Sequence, residues 1–319
     1  MTQLQSNAEL PRQPGATRNL EQRSHFLMLM ATLLVSTSFP VGAAITDGLD
    51  PLVLTFLRFA LAALLLAPLV AWRYSMAIPG WRDLVRYSVL SALLVAFFWS
   101  MFTALRYTSA LNTATIFALA PSVTAATSAL LLREKLAGPA RMALLLGMVG
   151  AVWVIFSGDL AGLVSLEFNP GDGIFLAGTV ALGIYGTLVK YLHRGEPMAR
   201  MTFWTLLTGA VWLFVLSVPR WSAIGWSEVP VSVFAGIAYL AIFTTLVTFF
   251  VFQWSATIIG PTKVVSYTYL NPAFVLVIGM VLGNDLPPPV TYPGLVLVVT
   301  ATFVLQSSGL ALKLRRIFK

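Results

Sequence analysis

The chain has 319 residues, of which 58% are hydrophobic and only 10% are charged. Soluble domains carry about 25% charged residues, so this composition excludes an ordinary water-soluble globular protein and indicates a chain that lipid solvates. The net charge of +8 comes in small groups between long apolar runs, which is typical of membrane-protein loops and not of a nucleic-acid-binding surface.

Long apolar runs follow one another along the chain with short connections between them. Each is expected to form a helix, because a hydrocarbon core about 30 Å thick needs roughly 20 apolar residues and lipid offers no partner to an open backbone. The polar residues 1–25 are expected to form a disordered cytoplasmic tail, and residues 313–319 a basic cytoplasmic tail. The ten predicted spans are 26–46, 51–72, 84–105, 108–132, 139–157, 171–192, 199–218, 230–255, 261–283 and 291–312.

The distribution of lysine and arginine predicts the orientation of these spans. With the N-terminus inside, the inside segments hold 17 of the 20 basic residues, whereas Arg106 and Arg220 fall outside and Arg58 falls within a span. Cytoplasmic loops are enriched in Lys and Arg. The pattern therefore predicts a multi-pass protein of the cell inner membrane with both termini in the cytoplasm.

Two segments in predicted spans 4 and 9 repeat the same spacing of residues. Leu119-Ala120-Pro121 is followed by Glu134, and Leu270-Asn271-Pro272 is followed by Asp285. In each segment the proline precedes the acid by 13 residues, and the two segments are 151 residues apart. With five spans in each half, the second half must enter the membrane from the opposite side. Inverted repeats place a substrate site near the midplane of transporters, although a chance Leu-x-Pro match is the alternative.

These paired segments are part of a wider resemblance that covers nearly the whole chain. Leu131-Leu132-Arg133-Glu134 is followed downstream by Gly150, and Phe56-Leu57-Arg58-Phe59 lies in predicted span 2. Together these motifs resemble the EamA-type branch of the drug/metabolite transporter superfamily. Two positions depart from the pattern of that family: Asp285 replaces the usual Glu, and Thr37-Ser38-Phe39-Pro40 replaces the usual Trp-Gly pair of the first span.

The resemblance agrees with the fold that the spans and the repeat predict. That fold is an all-α polytopic membrane protein, with ten transmembrane helices arranged as two inverted five-helix repeats, 26–157 and 171–312. The resemblance also implies a carrier that moves small metabolites, often outward and amino acids among them.

Two basic residues are candidates for binding an anionic substrate. Arg58 lies about 10 Å deep in span 2, at 1.5 Å per helical residue, where a charge is a functional hypothesis by default. Its guanidinium attracts a substrate carboxylate in one interpretation; in the favoured one it is structural and reaches Asp50 or helix-end carbonyls. Lys263, at the start of span 9, either binds a carboxylate from the cytoplasmic side or only sets the topology.

The predicted substrate-binding residues are aromatic, hydroxyl, amide or basic residues in spans 1, 3, 4, 6, 8 and 9. They are Phe39, Trp99, Thr103, Asn112, Tyr185, Thr244, Thr248, Lys263, Tyr267 and Asn271. Aromatic and small polar groups at mid-membrane suit a planar, amphiphilic ligand, whereas helix packing and interhelical hydrogen bonds are the structural alternative.

Three prolines inside the spans are candidate hinges. Pro40, Pro121 and Pro272 each remove a helical hydrogen bond and restrict the preceding residue, so they predict either a hinge or a static kink. The two repeat-end acids, Glu134 and Asp285, are predicted on the inside and the outside respectively.

The expected function is alternating-access export of small metabolites, with aromatic or apolar amino acids as the first class. The alternatives are uptake or exchange of an organic anion and, more remotely, a membrane-embedded enzyme. The acids lie in tails, loops or span ends, so facilitated diffusion is the simplest mechanism, with coupling through Glu134, Asp285 or His193 as the alternative. Without cysteine, a phosphate-binding loop or paired histidines, no cofactor or metal is expected. The expected partners are a small-molecule substrate and the lipid bilayer, without nucleic acid, for a monomer.

Overall fold

The described part of the chain consists of helices joined by turns and short loops. The computed structural model describes residues 14–74, 76–133, 138–156, 158, 169–259 and 261–317, and those ranges contain no β-strand. The α-helices are α1 (Pro14–Ile45), α2 (Pro51–Arg73), α3 (Trp81–Ala104), α4 (Ala110–Phe117), α5 (Ala120–Leu131), α6 (Gly138–Ile155), α7 (Pro170–Leu192), α8 (Met198–Trp221), α9 (Val231–Ala241), α10 (Thr248–Ile259), α11 (Pro261–Ser266), α12 (Asn271–Val281) and α13 (Tyr292–Ile317). A π-helical turn, Ile242–Val247, joins α9 to α10, and 3₁₀ turns cover Tyr267–Leu270 and Pro289–Thr291.

Local sequence explains where α2 and α7 begin. The side chains of Asp50 and Asn169 each accept a hydrogen bond, of 2.9 and 2.8 Å, from the backbone N–H two residues later. A proline follows each capping residue, Pro51 in α2 and Pro170 in α7, and its fixed φ angle suits the first helical turn. Predicted spans 2 and 6 therefore start at capped N-termini.

Eight helical segments of the described residues are long and apolar enough to cross a membrane. They are Asn19–Ile45, Pro51–Arg73, Trp81–Ala104, Ala110–Leu131, Pro170–Leu192, Met198–Trp221, Val231–Ala256 and Lys263–Val281. They coincide with predicted spans 1–4 and 6–9. Two shorter apolar helices, Gly138–Val154 and Pro289–Val304, lie where spans 5 and 10 were predicted. The chain is an all-helical, multi-pass membrane protein.

The structure corrects the predicted tails. Helix α1 begins at Pro14, so residues 14–25 are helical and do not belong to a disordered segment. Proline suits the first turn of a helix, and the good helix formers Leu20-Glu21-Gln22-Arg23 continue it. At the other end α13 runs to Ile317, so most of the predicted basic tail continues the last helix.

Predicted spans 4 and 9 are interrupted at matched positions. In span 4, Leu119 separates α4 from α5 with φ −78° and ψ −16°. In span 9, Leu270 precedes α12 with φ −82° and ψ −12°. Pro121 and Pro272 then occupy the first turn of the new helix, where their missing N–H costs no helical hydrogen bond. Pro40, in contrast, lies inside the uninterrupted α1.

Helices from both halves of the sequence pack into one core. Helix α3 packs on α7, α2 packs on α8, and α6 packs on α13. Helix α1 packs along α10 and α12. The largest buried cluster takes residues from seven helices, among them Phe39 of α1, Phe97 of α3, Phe175 of α7 and Val275 of α12. Residues that are far apart in sequence therefore meet around α1.

Candidate functional site

One turn of α1, Ser36–Phe39, makes polar contacts with two other spans. The hydroxyl of Ser36 donates a hydrogen bond of 2.8 Å to Oδ1 of Asn271, the first residue of α12. The hydroxyl of Thr37 shares a hydrogen bond of 2.7 Å with that of Tyr239 in α9. Nδ2 of Asn271 donates to the carbonyl of Thr268 at 2.7 Å, so the break before α12 is tied to α1. Asn271, a predicted binding residue, is brought into this polar layer.

An aromatic cluster adjoins the same turn of α1. The ring of Phe39 lies 5.6 Å from that of Phe117 in α4 and 6.4 Å from that of Phe175 in α7. Phe97 of α3 lies 5.6 Å from both of those rings. These separations are typical of interacting aromatic pairs. Four helices therefore place an apolar surface beside the hydroxyl and amide groups of α1 and α12.

Arg58 is buried and contacts the π-helical turn between α9 and α10 instead of the membrane surface. Its side chain is 2% exposed. Nε donates to the hydroxyl of Thr245 at 3.2 Å, and Nη2 donates to the hydroxyls of Thr244 and Thr245 at 3.1 Å. The guanidinium carbon lies 4.1 Å from the centre of the Phe98 ring, in a cation–π contact. Asp50, the partner considered from the sequence, binds Arg220 at 2.6 Å.

Tyr267 joins the N-terminal part of α1 to the start of span 9. Its buried hydroxyl lies 2.7 Å from Nδ1 of His25, within hydrogen-bond distance. Met28 and Val264 pack against Tyr267 in a small apolar cluster. Lys263, one turn before Tyr267, is half-buried. The two predicted residues at the start of span 9 thus lie beside α1.

A buried acid lies at a second contact between spans, where α7 meets the connection from α3 to α4. Asp172, in the first turn of α7, is 4% exposed, and its Oδ1 accepts a hydrogen bond of 2.5 Å from Thr108. The side chain of Asn112 interacts with the same carboxylate. The sequence located Asp172 correctly at the end of a span but gave no sign that it is buried. Asn112 therefore lies at this contact, and Ser109 caps its helix.

The remaining predicted residues are not all brought to the α1 turn. Trp99, 38% exposed, and Thr103 lie on the exposed stripe of α3 that also carries Val85 and Val89. Tyr185 packs against the separate buried cluster of α2, α3 and α8.

The predicted binding residue Thr248 and the two repeat-end acids do not lie at the α1 turn within the described residues. Thr248 is buried and donates to the carbonyl of Thr244, near the contact of Arg58. Asp285 is exposed between α12 and α13. Glu134 lies outside the described residues.

Sequence reasoning missed the aromatic residues Phe97, Phe117 and Phe175. On a helix in lipid both faces are apolar, so no periodic signal separates a core phenylalanine from a lipid-facing one. The assembled layer holds hydroxyls, an amide and aromatic rings. Within the ranges that the structure describes, no group of three His, Asp or Glu side chains is placed to hold a metal ion.

Comparison with known proteins places the chain among transporters. It is 27% identical over 207 residues to "Uncharacterized transporter YyaM" of Bacillus subtilis (strain 168), which covers 64% of this chain and 68% of the relative. It is 26% identical over 290 residues to an "Uncharacterized transporter" of Archaeoglobus fulgidus, which covers 89% of this chain and 98% of the relative.

A solved crystal structure shares the fold. It superimposes with a TM-score of 0.64 and 19% sequence identity, and the match covers 92% of this chain and 99% of the other. A model of the EamA-like transporter family matches residues 22–156 and again residues 169–306. The two matches together span most of the chain and confirm the resemblance inferred from its motifs. The chain belongs to the EamA-like transporter family.

Proposed function

We propose that this transporter is a ten-helix, alternating-access exporter of small metabolites, with aromatic or apolar amino acids as its first substrate class. The single observation that carries the proposal is the turn Ser36–Phe39 of α1. Within that turn, two hydroxyls bond to α9 and α12, and one ring packs against α4 and α7. A ligand at this position meets apolar and polar groups from both halves of the chain.

The packing of the helices supports two inverted five-helix repeats. If span 1 is equivalent to span 6 and span 3 to span 8, a contact between spans 3 and 6 requires one between spans 8 and 1. Both contacts are present, as α3 on α7 and α10 on α1. The pair α2–α8 joins the equivalent spans 2 and 7, and the pair α6–α13 joins the equivalent spans 5 and 10. We accordingly count α6 and α13 as the fifth and tenth transmembrane helices.

Alternating access in such an architecture rocks one half against the other around a central site. The breaks at Leu119 and Leu270 leave α5 and α12 free to tilt relative to α4 and α11, so Pro121 and Pro272 are the proposed hinges. Helix α1 has no break at Pro40, which we therefore assign to a static kink. A transport pathway through the site has one entrance at each side of the membrane. In this proposal the contact His25–Tyr267 closes one entrance and the contact Thr108–Asp172 closes the other.

The proposed setting follows from the charge distribution. The transporter works as a monomer in the inner membrane, with both termini in the cytoplasm, contacting lipid and a small-molecule substrate. It moves the substrate down its gradient without a cofactor, nucleic acid or chemical conversion. A second candidate function, uptake or exchange of organic anions, is favoured by the buried guanidinium of Arg58, which has no carboxylate partner among the described residues.

The test is counterflow of labelled substrates into proteoliposomes that contain the purified protein, with and without a pH gradient. We expect phenylalanine or leucine to exchange faster than in empty liposomes, and the rate to be independent of the gradient. Accelerated exchange of organic acids without amino acids would establish the second candidate. Acceleration of neither class would overturn both.

A matched pair of variants tests the α1 turn. Phe39→Ala removes a ring of the proposed site, whereas Phe26→Ala removes a 63% exposed ring from the same helix. We expect Phe39→Ala to slow counterflow severalfold and Phe26→Ala to leave it unchanged. Equal rates in the two variants would place the substrate away from this turn.

A further inference from the structure

The charge of Arg58 has no counter-charge among the described residues. The side chain is buried in α2, and its hydrogen-bond acceptors are the hydroxyls of Thr244 and Thr245. Asp50, at the start of the same helix, binds Arg220 and caps α2. A charged side chain inside a membrane protein is costly unless an opposite charge compensates it. The site thus favours an anion.

The two threonines fix the orientation of the guanidinium. Both hydroxyls donate to the carbonyl of Leu240 at 2.9 Å, which the π-helical turn makes possible for Thr245, five residues later. Each hydroxyl proton is thus already engaged, so the oxygens present lone pairs to Nε and Nη2 of Arg58. Nη1, which is also buried, has no hydrogen-bond partner among the described residues. One nitrogen of the guanidinium therefore lacks an acceptor within the described part of the protein.

A continuous row of aromatic rings connects Arg58 to the turn of α1. The guanidinium lies 4.1 Å from the Phe98 ring, and Phe98 lies 4.9 Å from Phe97. Phe97 lies 5.6 Å from Phe117, which in turn lies 5.6 Å from Phe39. A basic donor therefore stands at one end of a row of packed aromatic rings, an arrangement that suits a ligand with a negative head and an apolar or aromatic body.

A purely structural role explains less of this geometry. A neutral amide bridges two threonine hydroxyls equally well, without the cost of burying a charge. Guanidinium groups, in contrast, bind carboxylates through charge-assisted hydrogen bonds that are stronger than neutral ones. The buried charge and Nη1, which is unpartnered within the described ranges, both point to a carboxylate as the group that this arginine binds.

We propose that Arg58, positioned by Thr244 and Thr245, binds the carboxylate of the transported substrate, whose apolar body lies along Phe98 and Phe97. This proposal rests on the proposed function and names the substrate class as apolar carboxylates. The α-amino group of the substrate is not required for this contact.

The test measures binding without transport, as the increase in melting temperature that a ligand produces in the detergent-solubilised protein. The probes are two pairs that differ only at the carboxyl group: L-phenylalanine with L-phenylalaninamide, and 3-phenylpropionate with 3-phenylpropionamide. We expect each acid to stabilise the wild type at least tenfold more potently than its amide. The wild-type measurement alone can overturn the proposal: it does so if acid and amide stabilise the protein equally, or if neither acid stabilises it.

Three variants assign the response to Arg58. Arg58→Gln is expected to lose the preference for acids, and Arg58→Lys to keep it with weaker affinity. The control is Arg220→Gln, which removes an arginine bound to Asp50 at the helix end. We expect it to keep the full preference. If Arg58→Gln does not fold, loss of the preference in Arg58→Lys to the level of the amide contradicts the proposal.

The same data separate this proposal from transport itself. If the wild-type protein prefers the acids in the binding assay but exchanges neither acid in proteoliposomes, the carboxylate site is supported and the transport function is refuted. If the protein exchanges phenylalanine and its amide at equal rates and binds both equally well, the transport function is supported and the carboxylate site at Arg58 is refuted.

Discussion

Ser36 and Asn271 are joined by a hydrogen bond of 2.8 Å although 235 residues separate them in the chain. The bond links α1 to the residue that begins α12, directly after the 3₁₀ turn of span 9. Both side chains are buried, so neither has water as an alternative partner. The pair ties the first helix to the interrupted helix of the other half.

Substitution of this pair is expected to lower stability in a coupled manner. Interhelical hydrogen bonds in membranes contribute about 0.6 kcal/mol on average, so a double-mutant cycle of Ser36→Ala and Asn271→Ala should show a coupling energy near that value. Asn271→Ala alone should cost more, about 1–3 kcal/mol, because it also removes the bond to Thr268. Reversible unfolding in mixed micelles, followed by tryptophan fluorescence, measures these free energies; strictly additive effects would show that the bond is not formed.

The contact between α6 and α13 depends on two facing glycines. A Cβ atom at Gly150 would lie 2.6 Å from the carbonyl oxygen of Gly294, and one at Gly294 would lie 2.7 Å from that of Gly150. Backbone atoms cannot move aside cheaply, so Gly150→Ala is expected to destabilise the protein by about 1–3 kcal/mol. Thermal unfolding in detergent measures the loss.

Gly279 of α12 is the matched control for that substitution. A Cβ atom there meets nothing closer than Nδ2 of Asn284 at 3.5 Å, which is ordinary contact. Gly279→Ala is expected to be neutral or to stabilise by about 0.5–1 kcal/mol, since alanine favours helix more than glycine does. If both substitutions destabilise equally, the close approach of α6 and α13 is not what limits Gly150.

The proposed inversion of the two halves predicts on which side Asp285 lies. The chain contains no cysteine, so a single introduced cysteine is the only thiol that a reagent can modify. Asp285→Cys should react with a membrane-impermeant maleimide applied to the outside of intact cells. Arg82→Cys, in a predicted inside loop, should react only after the membrane is opened. Protection of Asp285→Cys in intact cells would refute the inverted arrangement.

Glu196 gives the fold a dependence on pH. The carboxylate lies between α7 and α8, where its Oε1 is 2.8 Å from Nη2 of Arg86 and its Oε2 accepts 2.8 Å from the backbone N–H of Arg194. Burial acts to raise the pKa of Glu196, but the backbone hydrogen bonds and Arg86 outweigh it, so the pKa lies below its usual value. Such a group stabilises the folded state above its unfolded pKa, and the contribution is lost as the pH falls through the folded pKa.

We therefore expect Glu196→Gln to melt at a lower temperature than the wild type at pH 7. The difference should begin to shrink as the pH falls below about 4, where the carboxyl of the unfolded chain becomes protonated, and disappear once the pH lies below the lowered pKa of the folded state. Melting curves of the two proteins across this range measure the effect. A difference that stays constant with pH would show that the ionised carboxylate of Glu196 contributes nothing to stability.

The spans were predictable because lipid requires long apolar helices. Prolines mark the breaks in spans 4 and 9, but proline alone did not predict a break, since Pro40 lies inside the uninterrupted α1. The rotation of each helix was not predictable. Trp99 and Phe97 are two residues apart in α3, yet Trp99 is exposed and Phe97 is buried in the largest cluster. Adjacent residues differ by about 100° around a helix axis, and in lipid no polar face indicates which direction is inward.

The partners of Arg58 were hidden for a different reason. Thr244 and Thr245 lie 186 and 187 residues away in sequence, and a π-helical turn brings both hydroxyls to one guanidinium. Composition and periodicity give no sign of such a turn inside an apolar run. The depth of Arg58 in its span was visible, whereas its contacts required the packed structure.

The interruptions of spans 4 and 9 also have an electrostatic consequence. Helices α5 and α12 both begin after a break, and the N-terminal end of a helix carries a partial positive charge. In the proposed topology both positive ends lie at mid-depth. Positive half-helix ends repel protons and cations in membrane pores. The breaks that we propose as hinges would thus also keep the carrier from short-circuiting the ion gradients of the cell.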